Sequence, residues 1–258
     1  MQKTKLLVAV LGALCAMPAL AADAPASPFT ITSNVGVVSN YVFRGITQTA
    51  GAPAVQGGMD LAHTSGFYAG LWGSNVSWIA DSGAVGSGSV TMELDTYLGY
   101  KASITDDVGY DVGYVRYNYL GSKYEAASGF ALADTAEAYA AISYKFLTAK
   151  YSYSVLNQFL TVADEKGTDY FELNANYAIP ETTYTVIGHA GKQTYKGTNA
   201  STATYSDYKV GVAKDISGYV VTLAYTSTDA KDGGFYTYAT KGGNWARDMV
   251  SASLTHSF

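Results

Sequence analysis

Val90-Thr91-Met92-Glu93-Leu94-Asp95-Thr96-Tyr97-Leu98-Gly99-Tyr100-Lys101 alternates with a period of two. Val90, Met92, Leu94, Leu98 and Tyr100 stand on one face, and Thr91, Glu93, Asp95, Tyr97, Gly99 and Lys101 on the other. A soluble sheet also alternates, with its apolar face on another layer and its charged face in water. This chain repeats the pattern too often for one small core to cover every apolar face. A sheet that is apolar outside and polar inside suits lipid on one side and an aqueous lumen on the other.

The same alternation runs from Ile31 to Arg44, where Ile31, Val35, Val37, Tyr41 and Phe43 oppose Thr32, Asn34, Gly36, Asn40 and Arg44. It recurs from Ala54 to Ala62, with Val55, Met59 and Leu61 outward and Gln56, Gly58 and Asp60 inward. Phe67 to Trp78 is apolar on both faces, so its orientation is not readable. Val108, Tyr110, Val112 and Tyr114 carry a fifth strand whose register blurs around Arg116, which suits either a bulge or the edge of the membrane zone. Further strands are expected at Thr135 to Phe146, Ala149 to Leu156, Asp169 to Ala178, Thr183 to Tyr195, Tyr205 to Lys214, Tyr219 to Thr226 and Asp248 to Phe258. A tilted strand needs about 10 residues to cross the hydrocarbon zone, which these segments supply. The predicted fold is all-β: a transmembrane, antiparallel, up-and-down β-barrel of about 12 strands.

Residues 1–22 are read apart from that fold. Lys3 and Lys5 precede an apolar run from Leu6 to Met17, and Ala19-Leu20-Ala21 supplies a small-residue cleavage pattern. A cleaved secretory signal is expected there, leaving residues 23–258 as a single barrel domain. Loss of Lys3 and Lys5 takes the net charge from −5 to −7, and Cys15 leaves with them, so no disulfide is expected. An acidic exported chain argues against nucleic acid as a partner. Charged residues make up 14% of the chain, against roughly 25% in an ordinary soluble domain. The 23 tyrosines suit aromatic girdles at the two membrane surfaces, with the ring in the acyl boundary and the hydroxyl in water.

Connections alternate in length. Short turns are expected at His63 to Gly66, Ala102 to Asp107, Phe146 to Thr148, Ile179 to Thr182 and Asp215 to Gly218, and longer loops between them. Long outside and short in the periplasm is the habit of bacterial outer-membrane barrels. The last strand places Val250, Ala252, Leu254, His256 and Phe258 at alternate sites up to the terminus, which fits the signal read by barrel-assembly machinery.

Asn34-Val35-Gly36-Val37-Val38-Ser39-Asn40-Tyr41-Val42-Phe43-Arg44-Gly45-Ile46-Thr47-Gln48, with Pro53-Ala54-Val55-Gln56-Gly57-Gly58-Met59-Asp60 after it, resembles the TorF family of proteobacterial porins. Gly66-Phe67-Tyr68-Ala69-Gly70-Leu71-Trp72-Gly73-Ser74-Asn75-Val76 and Glu93-Leu94-Asp95 fit the same pattern. The resemblance implies an outer-membrane barrel and brings no substrate and no catalytic residue with it.

Twelve strands lie between the eight that leave room only for side chains and the sixteen that enclose an open channel, so a narrow lumen is expected. Its acids are Asp60, Glu93, Asp95, Asp111, Glu137, Glu172 and Asp207, and its bases Arg44, Lys101, Lys145, Lys150 and Lys209. Mixed signs predict a weak cation preference at most. Strand direction puts Glu93, Asp95 and Lys209 near mid-barrel, where they would line a constriction for small hydrophilic solutes or ions. The other reading is a closed lumen filled by buried ion pairs, in a structural or adhesive barrel whose loops bind a partner. Arg44, expected near the outer mouth with Glu137, would orient an anionic solute or pair with a neighbouring carboxylate. Catalysis is not expected: His63, His189 and His256 stand apart and no Gly-x-Ser-x-Gly elbow occurs. Nor does any cluster have the spacing of a metal or cofactor site.

Overall fold

The computed structural model describes residues 27–83, 90–121, 131–230, 235–237 and 243–258. The signal expected at residues 1–22 lies outside them. Twelve strands close into one antiparallel barrel. In chain order they are β1 (Phe29–Val38), β4 (Ala54–His63), β5 (Phe67–Asn75), β6 (Met92–Ser103), β7 (Val108–Leu120), β8 (Thr135–Tyr144) and β9 (Leu147–Ser154), then β12 (Asp169–Ala178), β13 (Tyr184–Thr194), β14 (Tyr205–Ile216), β15 (Tyr219–Thr228) and β16 (Met249–Ser257). The intervening numbers belong to two small hairpins in the loops, β2 (Val42–Phe43) with β3 (Ile46–Thr47), and β10 (Gln158–Phe159) with β11 (Val162–Ala163). Each strand pairs with its neighbour in sequence, and β1 closes the ring on β16, with Val35 opposite His256 and Val38 opposite Ser253. Closure leaves no strand edge unpaired, which an apolar surround requires.

Side chains sort by parity. Ile31, Val55, Leu98, Val210 and Val250 point outward and stay more than half exposed. Phe67 and Leu71 are outward too, which settles β5 and turns Tyr68, Gly70, Trp72 and Ser74 inward. A ring of outward aromatics, including Phe29, Phe67, Tyr144, Tyr184, Tyr219 and Phe258, marks the short-turn end. One of its two-residue turns is Ser217-Gly218, where both residues have positive φ, 55° and 87°. That pair is the requirement of a two-residue hairpin matching the strand twist.

Three strand expectations change. The first strand stops at Val38 rather than Arg44, because the chain turns into the barrel and forms β2 and β3 there. The fifth, β7, runs to Leu120 with its pairing to β6 unbroken. There is no bulge at Arg116; its guanidinium is outward and bonds Asn118 and Asp134, so a charge at the end of the apolar zone blurred the pattern. The third ends at Asn75, and Trp78 belongs to a one-turn helix, α1 (Trp78–Asp81).

The mouth at the long-loop end is packed. One apolar cluster joins Tyr41, Ala54, Val76, Ile79, Val90 and Tyr119. A second joins Phe159, Val162, Tyr195, Ala203, Tyr205 and Tyr236, with Leu160 lying against both. Ala203 ends another one-turn helix, α2 (Ala200–Ala203).

Candidate functional site: the lumen and its inward hairpin

The turn between β2 and β3 carries Arg44 and Gly45 at φ 47° and 77°. A left-handed arginine is uncommon and persists only where its surroundings fix it. Arg44 Nη1 and Nη2 donate to Glu137 Oε1 and Oε2 at 2.9 and 2.7 Å, and Nη1 also donates to Gln193 Oε1 at 2.9 Å. The Tyr117 hydroxyl donates to Glu137 Oε2 at 3.2 Å. The guanidinium carbon lies 4.2 Å from the Tyr170 ring centre and 4.8 Å from that of Phe43. Both partners are buried, at 7% and 0% side-chain exposure. Burial works against the charge on Arg44, and Glu137 more than offsets it, so the guanidinium is held above its ordinary range. The hairpin springs from between β1 and β4 and reaches β8 and β13, which flank the far side of the ring. It therefore bridges the lumen.

The other inward groups bond along the wall. His189 Nε2 lies 2.9 Å from Asp207 Oδ1 and its Nδ1 2.7 Å from Asn174 Oδ1, while the Tyr170 hydroxyl donates to Asp207 Oδ2 at 2.9 Å. Asn174 Nδ2 donates to Glu172 Oε2 at 2.8 Å. Nearer the short-turn end, Tyr97 donates to Asp60 Oδ1 and Tyr68 to Asp111 Oδ1, each at 2.6 Å. The Tyr68 and Tyr139 hydroxyls meet there, and Lys150 Nζ sits 4.2 Å over the Tyr139 ring. Among the described residues, no hydrogen bond or ion pair joins opposite walls in that half.

Glu93 and Asp95 do not lie beside Lys209. β6 and β14 are six steps apart in the ring, so Lys209 faces those acids across the full width. Glu93 and Asp95 are the second and fourth residues of β6, at the long-loop end rather than mid-barrel. Reading the strand from Val90 placed them too deep, because Val90 belongs to the apolar cap. Lys209 is mid-strand, opposite His189. Glu137 sits near the long-loop end, Glu172 below it, and Asp60 and Asp111 in the short-turn half. Lys145 is not inward: it occupies a turn and pairs with Asp107 at 3.8 Å. Of the aromatic residues expected in a long loop at Ser227 to Arg247, Tyr236 and Trp245 are buried and Phe235 lies against Tyr195; Tyr238 lies outside the described residues.

Of the lumen tyrosines, the alternation had placed Tyr97 alone. Each lies over an inward glycine of an adjacent strand: Tyr97 over Gly70, Tyr139 over Gly113, Tyr68 over Gly99 and Tyr170 over Gly191. A Cβ at Gly70 would come within 2.6 Å of the Tyr97 ring. The signal existed in the alternation, as glycine and tyrosine on the inward parity of neighbouring strands.

Apolar outside, charged and hydroxyl-rich inside, with short turns at one end and folded loops at the other, the molecule has the architecture of porin-type membrane barrels. The chain belongs to the bacterial family of unknown function Gcw_chp, whose profile matches residues 22–258. No curated protein sequence matches it. Among solved structures it is similar to the KdgM porin, at 8% identity and a TM-score of 0.51, over 89% of this chain and 99% of that one. The KdgM porin in complex with disordered oligogalacturonate gives 8% and 0.52 over the same shares, and the NanC porin 10% and 0.48, again over 89% and 99%. At such identities the likeness to the KdgM porin shows the fold alone.

Proposed function

We propose that this is an outer-membrane, porin-like channel for small hydrophilic solutes or ions, closed at rest by the β2–β3 hairpin and opened when that hairpin leaves the lumen. One observation carries the reading: the bridge across the lumen is made by a loop, Arg44 on Glu137, while the wall groups of the short-turn half bond along one arc of the wall, to strands two or three places away. A structural barrel would be expected to tie its walls together through the centre. Long loops would then face outward and the short turns the periplasm, in keeping with the resemblance to TorF-type porins. Phe258, packed on His256, would be the residue presented to the assembly machinery.

The alternative is a closed barrel acting through its loops, and the apolar packing of the mouth favours it. Liposome swelling separates the two. Vesicles carrying the barrel should admit small sugars and amino acids slowly, and faster with Arg44→Ala. Vesicles that remain tight with both proteins would support the closed barrel.

A further inference from the structure

Five of the seven inward acids take donors from the wall or the hairpin: Asp60 from Tyr97, Asp111 from Tyr68, Glu137 from Arg44, Glu172 from Asn174, and Asp207 from Tyr170. Glu93 takes one only from the loop residue Tyr41, at a single oxygen, and Asp95 has none among the described residues. They are 1% and 8% exposed, and Glu93 Oε2 and Asp95 Oδ1 have no hydrogen-bond partner among the described residues. Neither forms an ion pair among the described residues. Two adjacent carboxylates buried without a cation are strongly unfavourable once charged.

Their surroundings define what would complete them. In the strand pairing, Ser74 and Tyr119 flank Glu93, and Trp72 and Tyr117 flank Asp95. Tyr41 closes the spot from the loop side, its hydroxyl donating to Glu93 Oε1 at 3.0 Å and its ring edge-on to Trp72 at 5.5 Å. A calcium ion takes six to eight oxygens, and among the described residues no third acid or histidine joins the pair. Ring faces beside a carboxylate instead suit an organic cation. The lumen already seats one in this way: Arg44 forks onto Glu137 between the rings of Tyr170 and Phe43.

We infer that Glu93 and Asp95 form a binding site for a small organic cation with a guanidinium or primary ammonium head, which enters as the Tyr41 hydroxyl gives way. The inference names a solute class for the proposed channel and so rests on that reading, but binding is measured without any transport. The full chain, refolded in detergent micelles, would be titrated calorimetrically with agmatine, methylguanidinium, uncharged butylurea and calcium chloride. Saturable one-to-one binding of agmatine and methylguanidinium is expected, with none of butylurea. Asp95→Asn and the double variant Glu93→Gln/Asp95→Asn, each checked for retained sheet by circular dichroism, should bind at least tenfold more weakly. The inference is overturned by an absence of saturable binding in the wild-type barrel, by equal binding in the variants, or by calcium displacing agmatine at lower concentration than agmatine itself needs. Conductance without agmatine binding would sink the site and leave the channel standing; binding without conductance would do the reverse.

Discussion

Arg44 ties the inward hairpin to the far wall of the barrel, and its chemistry fixes what its loss should do. Truncation to alanine leaves Glu137 buried with only the Tyr117 hydroxyl as a donor, at an expected cost of about 3–5 kcal/mol. Chemical unfolding in micelles would measure it. Replacing both partners with apolar groups, Arg44→Met with Glu137→Leu, should cost clearly less than Arg44→Ala, because no charge is stranded. Gly70→Ala sets a Cβ 2.6 Å from the Tyr97 ring and hydroxyl and should cost about 1–3 kcal/mol by overpacking; the loss should shrink in a Tyr97→Phe background, which removes the hydroxyl contact. The inward acids were legible because alternation fixes parity. Their partners were not: Arg44 reaches Glu137 across 93 positions of sequence, and no local pattern encodes such a meeting.

Strands were readable and loops were not, for one physical reason. A strand facing lipid on one side and polar groups on the other must alternate, so β4, β6, β12 and β14 declare themselves. The caps at the mouth bury Ile79, Phe159 and Tyr236 through irregular backbone that has no period to detect. The β2–β3 hairpin shows the failure most clearly: Tyr41 and Phe43 continue the apolar alternation of β1, yet the chain has already turned inward, with Arg44 at the tip in a left-handed conformation. At the opposite end of the chain, β16 closes the ring, Phe258 N–H donates to Ser33 O at 2.8 Å, and Phe258 packs on His256, which stacks on Tyr219. Phe258→Ala should therefore refold in vitro with a modest loss of stability, while its yield of assembled barrel in cells falls severalfold, read by heat-modifiable migration of membrane fractions. Equal yields would remove the terminal aromatic from the assembly signal.

The assembled molecule is a closed polar tube in an apolar jacket, and its class was legible in the repeated alternation alone. Whether the tube conducts was not, because that depends on how loops from separate strands meet over one mouth. The lumen below the hairpin is lined by acids and lysines that bond along the wall, so removal of the hairpin should expose a continuous polar path with a weak cation preference. Single-channel recording in planar bilayers, comparing the intact chain with one in which residues 40–51 are replaced by a short glycine-serine link, tests this directly. We predict rare, brief openings for the intact barrel and sustained conductance steps for the variant. Folded, inserted protein that gives no steps in either form would contradict the account.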